Sequence, residues 1–371
     1  AAEIDIHPTD DFNDGDNEGV GYFPVTQRSG LRWNARKAFL DPARRRGNLH
    51  VLTGAQVDRL TFEGRRVTGV SYRVGDRPRH ARANREVVLS AGAIGTPQIL
   101  ELSGVGNPEA LARHGIETRH ALPGVGENLQ DHLQLRTVWK ITGGRTLNDR
   151  VATMVGKASI ALEYIARRSG PMSMAPSQLG IFCRSDPRHE TANVEFHVQP
   201  LSLDSFGSPL HRYSGMTVSV CNLRPESRGS VHLRPGDPEG APEIRPRYLD
   251  TEQDRTVAVE SIGIARELMQ TSGMERYAPE EILPGPAIQD HAALVEAACQ
   301  VGTTIFHPVG TAKMGQDSMA VVDPELRVHG LRGLRIADAS IMPTIVSGNT
   351  HAPATMIAEK AADMMLATMP A

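Results

Sequence analysis

Two histidines in the last third of the chain have the chemistry to take a proton from a hydroxyl group. His307 lies in the stretch Gly302-Thr303-Thr304-Ile305-Phe306-His307-Pro308-Val309-Gly310-Thr311. His351 lies in Gly348-Asn349-Thr350-His351-Ala352-Pro353 and leads into an apolar run. Both sit among small residues and turn formers rather than on a charged helix face. An imidazole titrates near neutrality, so it can remove a hydroxyl proton and return it. Pro308 lacks a backbone donor and disfavours the helical region for His307, so this histidine belongs to a loop. Pro353 falls where a first helical turn would begin, so His351 belongs to a loop feeding a helix. Only tertiary structure can bring the two together. A histidine met singly is more often a surface or satisfied core residue, and what surrounds these two carries the reading.

The elements that must position them are also legible. Glu86-Val87-Val88-Leu89-Ser90 reads as a buried strand. It runs into Ala91-Gly92-Ala93-Ile94-Gly95-Thr96-Pro97 and then an apolar helix. A strand, a small-residue turn and a helix outline an α/β nucleotide-binding element: small residues allow close backbone approach, and the helix N-terminus favours negative charge. Upstream, residues 55–62 and 67–74 alternate around Glu63-Gly64 and predict a β-hairpin. Residues 48–53 read as a further short strand, and 31–40 as a helix with Trp33, Ala35, Ala38 and Phe39 on one face, ended by Pro42. Downstream, 151–168 predicts a helix with Val155, Ala158, Leu162 and Ile165 on one side. Runs at 178–183, 193–199, 215–221 and 229–234 predict an antiparallel sheet. Helices follow at 254–270 and 290–299.

Bulk properties remove several classes. The chain has 371 residues and a formal net charge of −3, so no overall basic excess argues for nucleic acid or an anionic membrane as partner. Cys183, Cys221 and Cys299 are few, odd in number and far apart, which speaks against a disulfide framework or a cysteine zinc site. Reduced thiols make the cytoplasm the default location, with peripheral membrane association left open. No apolar run is long enough to span a bilayer. Residues 1–19 are acidic and rich in Asp, Asn and Gly, the texture of an internal loop, and suggest that the natural polypeptide or a partner chain begins earlier. Arg44-Arg45-Arg46 reads as a solvated helix end.

Several of these stretches carry a resemblance. Gly92-Ala93-Ile94-Gly95-Thr96-Pro97-Gln98-Ile99-Leu100-Glu101-Leu102-Ser103-Gly104-Val105-Gly106 is similar to the second signature of the glucose–methanol–choline (GMC) oxidoreductase family. Leu122 to His132, His307 to Thr311 and Asp338-Ala339-Ser340-Ile341-Met342-Pro343 resemble further segments of that family, with the choline and bacterial alcohol dehydrogenases the nearest branch. The resemblance runs from about Gly21 to the end. It implies a mixed α/β fold: an FAD-binding domain in two pieces, 1–135 and 301–371, and between them, at 136–300, a substrate domain with an antiparallel sheet flanked by helices. It implies FAD as cofactor and a small-molecule alcohol as substrate. Members open with a strand and a G-x-G-x-x-G turn on the FAD pyrophosphate. No such turn is found here, so the expectation is that the N-terminal FAD-binding unit is missing and resides on an earlier segment or a partner chain.

By the same resemblance, His307 is the general base and His351 holds the alkoxide-like oxygen, although many relatives have Asn at the latter position. Val57, Ala91 and Gly92 lie near the adenine end of the nucleotide, and Asp338 and Ala339 near the ribityl and pyrophosphate groups. His351, Ala352 and Pro353 border the isoalloxazine ring. Phe306 walls the substrate pocket, unless it is simply core. From the residues alone Asp338 is a turn cap, and Asp131-His132 is a structural pair rather than part of a triad or metal site. Three other readings stay open: an FAD-containing lyase, a cofactor-free subunit or remnant, and, furthest off, a histidine metal site. No metal ligand set is expected. The alcohol and the electron acceptor cannot be named.

Overall fold

A computed structural model describes residues 1–205 and 207–368. In chain order its principal elements are β1 (Gly19–Tyr22), the meander β2 (Ala55–Glu63), β3 (Arg66–Val74) and β4 (Arg77–Arg82), then β5 (Val87–Leu89) and α1 (Gly92–Leu102). There follow β6 (Leu133–Lys140), α2 (Met154–Arg167), β7 (Leu179–Cys183), β8 (Val194–Gln199), β9 (Gly215–Asn222) and α3 (Glu252–Gln270). Last come β10 (Glu280–Leu283), α4 (His291–Val301), β11 (Leu334–Ile336) and α5 (His351–Ala367).

These elements form two compact units, each drawn from several stretches of chain. The first comprises Ala1–Val51, Leu133–Leu223 and Glu252–Thr303. Its sheet has the strand order β1-β7-β8-β9-β6-β10, all antiparallel. Because side chains alternate across a strand, the register sorts the residues by face. Phe196, Val218 and Val220 share a face, and α3 packs beside β9 with Asn222 Nδ2 donating to Asp254 Oδ1 at 3.1 Å. Val257, Ile262 and Ala265 on α3 are fully buried; sealing an aliphatic side chain of this kind contributes ~1.5–3 kcal/mol. The opposite face carries Glu195, His197, Ser219 and Cys221, all buried.

The second unit comprises Leu52–His132, Arg224–Thr251 and the chain from Thr304 on. Here β5 and β11 pair in parallel, and β2-β3-β4 form an antiparallel meander. One apolar cluster joins Leu89, Leu100, Val125, Val309, Val322, Ile336 and Ile357, so residues more than 200 positions apart in sequence share a core. Divided this way, 1–51 packs with the antiparallel sheet and 224–251 with the parallel strands, unlike three consecutive blocks. The reason lies in β1, which hydrogen-bonds to β7, and in Gly229, which exchanges backbone hydrogen bonds with Leu129.

Most elements lie where the sequence pattern puts them, with three differences and one feature, the facing of α2, that the pattern left open. Residues 48–53 form no strand, having no ladder partner. The predicted helix at 31–40 is a π-helical turn over Arg36–Leu40, and Pro42 sits inside the short helix Asp41–Ala43 rather than ending it, since its missing N–H costs nothing in a first turn. The strand at Ser230–His232 pairs with Glu243–Arg245 in the second unit and is no part of the large sheet. The apolar side of α2 faces outward: Val155 and Leu162 are 81% and 66% exposed, and only Ile160 is buried.

Candidate active site

His307 is placed by a short antiparallel pairing inside the second unit. Gln130 and Val309 exchange backbone hydrogen bonds at 3.1 and 2.9 Å, and Ile305 N–H donates to His132 O at 3.2 Å. This sets Asp131 and His132 against the His307 loop. Asp131 Oδ1 accepts the His307 backbone N–H at 2.8 Å, while Oδ2 accepts the hydroxyls of Thr304, at 2.5 Å, and Tyr248. Burial first, and then the charge of Asp131, push the Tyr248 hydroxyl above its ordinary range, so it remains a donor. Phe306 holds a left-handed φ of 66° and its N–H donates to Thr304 Oγ1, which turns the chain so that the next N–H reaches Asp131. That backbone costs ~1–3 kcal/mol and persists because its surroundings over-determine it.

The imidazole of His307 is buried, and its Nδ1 lies 3.1 Å from Nδ1 of His132, which is wholly buried, with the rings edge to face at 84°. A hydrogen bond between these atoms needs one donor and one acceptor. If His307 is to accept a proton at Nε2, its Nδ1 must be the donor and His132 must carry its own proton on Nε2. In that tautomer His132 orients the imidazole of His307, as the orienting partner of a general base does. Gln130 extends the brace: its Nε2 donates to Pro343 O at 3.1 Å and its Oε1 accepts Ile345 N–H at 3.0 Å.

The nucleotide-binding outline is realised in the same unit. Leu334–Ile336 runs parallel to Val87–Leu89, so Ala91-Gly92 and Asp338-Ala339 emerge together beyond the carboxyl ends of two parallel strands. Such a place, at the start of a helix, suits a phosphate or a nucleotide. Gly92 has φ 76°, which a side chain rarely tolerates. Asp338 binds the two segments: Oδ2 accepts Gly92 N–H at 3.0 Å and Thr96 Oγ1–H at 2.7 Å, and Oδ1 accepts Ser340 N–H at 2.7 Å. Its carboxylate is thus occupied as a cap and a clasp. Beside α1 lies a cavity of about 130 Å3 whose walls include Val57, Ala91, Gly95, Gln98 and Asp58.

The remaining expected residues fall elsewhere in the unit. His351 is exposed and is the first residue of α5, with Ala352 and Pro353 following in the first turn. Thr350 gives this helix no side-chain cap, so its N-terminal donors are not closed off by its own residues. Phe306 is 66% exposed, and so is not core.

Sequence reasoning missed the Asp131 network, which it read only as structural, and the role of His132 beside His307. It also missed Glu101, His232 and Glu127. His232 Nδ1 meets Glu101 Oε1 at 2.7 Å and its Nε2 meets Glu127 Oε1 at 3.1 Å. The hydrogen bond to Glu101, then that to Glu127, raises the His232 pKa to about 9, while Glu127 is held below its ordinary range chiefly by the same contact. Glu101 also accepts Leu233 N–H at 2.9 Å. The only available signal was a glutamate on the buried side of a helix, which demands a partner. In the first unit, Glu195, His197 and Cys221, all buried, bring donor atoms within 4.8 Å of one another. Burial pushes the Cys183 thiol up to about 12, so it behaves as an apolar side chain.

An α/β element of nucleotide-binding outline, in one unit with a buried and braced histidine, defines the class. Family models described as GMC oxidoreductase match residues 2–134 and 225–358. The chain belongs to the GMC oxidoreductase family. It is 39% identical over 367 residues to an alcohol dehydrogenase [acceptor] of Pseudomonas putida, covering 98% of this chain and 66% of that protein. It is 40% identical over 365 residues to an oxygen-dependent choline dehydrogenase of Klebsiella pneumoniae (strain 342), again covering 98% and 66%. The chain thus spans 66% of the length of these curated relatives. An FAD-dependent oxidoreductase from Chaetomium thermophilum superposes with a TM-score of 0.89 at 26% identity, covering 98% of this chain and 70% of that one. The match at residues 2–134 corrects the expectation that the family's N-terminal unit is missing, and gives no support to a partner chain carrying it. That expectation equated the domain with its glycine-rich turn, whereas the meander, β5 and α1 carry the pattern as well. No helix among the described residues is long and apolar enough to cross a membrane.

Proposed function

We propose that this chain serves the FAD-dependent oxidation of an alcohol to an aldehyde or ketone, with His307 as the base for the hydroxyl proton. One observation carries the reading: a buried histidine whose backbone N–H is clasped by Asp131 and whose Nδ1 is paired with His132, in the unit that holds the nucleotide-binding outline. The second unit is then the FAD-binding domain and the first the substrate domain.

FAD, when bound, supplies the hydride acceptor. Val57 and Ala91 line the cavity assigned to its adenine end, with Gly92 beside it, and Ala339 lies toward the ribityl and pyrophosphate groups. Asp338 holds those segments in register rather than meeting the ligand with its carboxylate. The open first turn of α5, with His351, Ala352 and Pro353, offers positive potential to a reduced, anionic ring system. His307 removes the hydroxyl proton at Nε2 while its Nδ1 donates to His132, and His351 steadies the oxygen. Phe306, exposed beside His307, is the pocket wall. A dehydrogenase rather than an oxidase is the reading, supported by the dehydrogenase names of the two relatives at 39% and 40% identity.

The test is anaerobic addition of alcohols to the flavin-loaded protein. Bleaching of the flavin band with one carbonyl formed per flavin is expected. Product without bleaching assigns a non-redox lyase instead, and protein that takes up no FAD under any condition leaves a cofactor-free subunit.

A further inference from the structure

The strongest feature outside the site is α2 in the first unit. Its apolar residues recur at helical spacing, Val155, Ala158, Leu162 and Ile165, with Met154 at the start. Such a stripe normally faces a core. Here it faces out: Met154, Val155, Leu162 and Ile165 are 78%, 81%, 66% and 71% exposed, while the opposite side holds the helix down through Ile160. Met172, just beyond the helix, is 55% exposed.

The stripe is set in positive charge that the net figure of −3 conceals. From Arg145 to Arg168 there are five basic residues against two acidic ones. Of the two, Glu163 is paired with Arg150 at 3.2 Å. The hairpin at residues 27–32 lies against the end of this helix, with Tyr164 OH donating to Gly30 O at 3.1 Å and no room for a side chain at Gly30 beside Arg168 O. That hairpin opens a run, 27–46, with seven basic residues against one acidic, and with Leu31 and Phe39 exposed. The Arg44-Arg45-Arg46 triplet belongs to it.

We propose that α2 and the adjoining 27–46 segment dock this protein onto the surface of a bilayer containing anionic lipid. A helix of 14 residues is ~20 Å long, too short to span but able to lie in the interface with its apolar stripe among acyl chains and its arginines at the headgroups. Charge complementarity selects this occupant. A second copy on the same face would oppose two strongly basic surfaces across a two-fold axis. A neutral apolar partner would leave the arginines unanswered.

The test is co-sedimentation of the chain with vesicles of phosphatidylcholine containing one quarter phosphatidylglycerol, against phosphatidylcholine alone. Binding to the anionic vesicles, weakened by salt, is expected. Leu162→Glu with Ile165→Glu should weaken it roughly tenfold or more, since both residues leave the apolar layer. Arg167→Glu with Arg168→Glu should weaken it by a similar factor and remove the preference for anionic lipid. All four positions are exposed, and thermal melts check that each variant folds. No binding at low salt, or binding unchanged in both variants, overturns the proposal. So does a dimer in analytical ultracentrifugation that Leu162→Glu dissociates, which makes the occupant a second copy.

Discussion

The loops around His307 and the helix α2 obey opposite rules. Around His307 nearly every polar atom is buried and answered: Asp131 accepts from one backbone N–H and two hydroxyls, and Gln130 both donates to and accepts from the chain near Pro343. On α2 apolar atoms are exposed, and among the described residues nothing in the unit covers them. The first region spends side chains on fixing backbone. The second keeps a regular helix and leaves a face for something else. The difference teaches that regularity and burial are separate properties. The most irregular backbone here is the most constrained, and one of the most regular helices is the least covered.

The sharpest way to break the comparison is at His307. His307→Ala in the flavin-loaded enzyme should lower kcat by ~10²–10⁴-fold, as loss of a general base does, and should also cost ~1–3 kcal/mol of stability because buried His132 loses this partner. His351→Ala should cost less, because His351 is exposed at the start of α5. Equal losses in steady-state assays would show that burial and bracing do not distinguish the two histidines.

Asp131 comes next. Asp131→Asn keeps the shape but presents an amide NH2 to donors that need an acceptor. Leaving one buried donor unmet costs ~1–3 kcal/mol in a denaturant melt. If Asp131 positions His307, kcat should fall while the KM for the alcohol moves little, and Asp131→Glu should recover part of the rate. A melt unchanged by Asp131→Asn would mean that this loop is not held as the hydrogen bonds indicate.

These two regions also mark what could be read beforehand. Periodicity located α2 within three residues at its start, yet gave no means of telling an inward from an outward stripe, because hydrophobic spacing reports a face and not its neighbour. The hairpin, β5, α1 and the strands of the large sheet were legible for the same local reason. The brace on His307 was not, since Asp131 and Tyr248 lie far from it in sequence and share no period with it. His307 and His351 were candidates from their chemistry and loop settings, their separate roles came only from resemblance to the family, and nothing in the sequence pointed to His132 as the partner at Nδ1. Residues 48–53 misled because alternation without a ladder partner is not a strand.

A third prediction uses pH to probe another buried network in the second unit. His232 gains its partners Glu101 and Glu127 on folding, and its pKa rises to about 9. The stabilisation is therefore complete below the unfolded value near ~6.5, declines as pH climbs, and is lost above about 9. Its side chain is 25% exposed, so the gain is about 1–2 kcal/mol after solvent screening. Unfolding free energies of the native chain should fall across that window, and those of His232→Gln should stay flat. Parallel curves would mean that the glutamates do not hold a charged imidazole.

The smallest effect is expected on α2, and it closes the comparison from the other side. Leu162 and Ile165 project from an exposed face, so truncating either to Ala removes little buried area and leaves no cavity. Alanine is also the better helix former. Leu162→Ala and Ile165→Ala should each change stability by no more than ~0.5 kcal/mol, against the ~2–5 kcal/mol that Leu or Ile loses on truncation in a core. Ile160→Ala, one turn away on the buried side, supplies the internal reference. If thermal melts of the chain alone find Leu162→Ala as costly as Ile160→Ala, the stripe is covered in solution, and the contrast between a braced loop and an open helix fails at the helix.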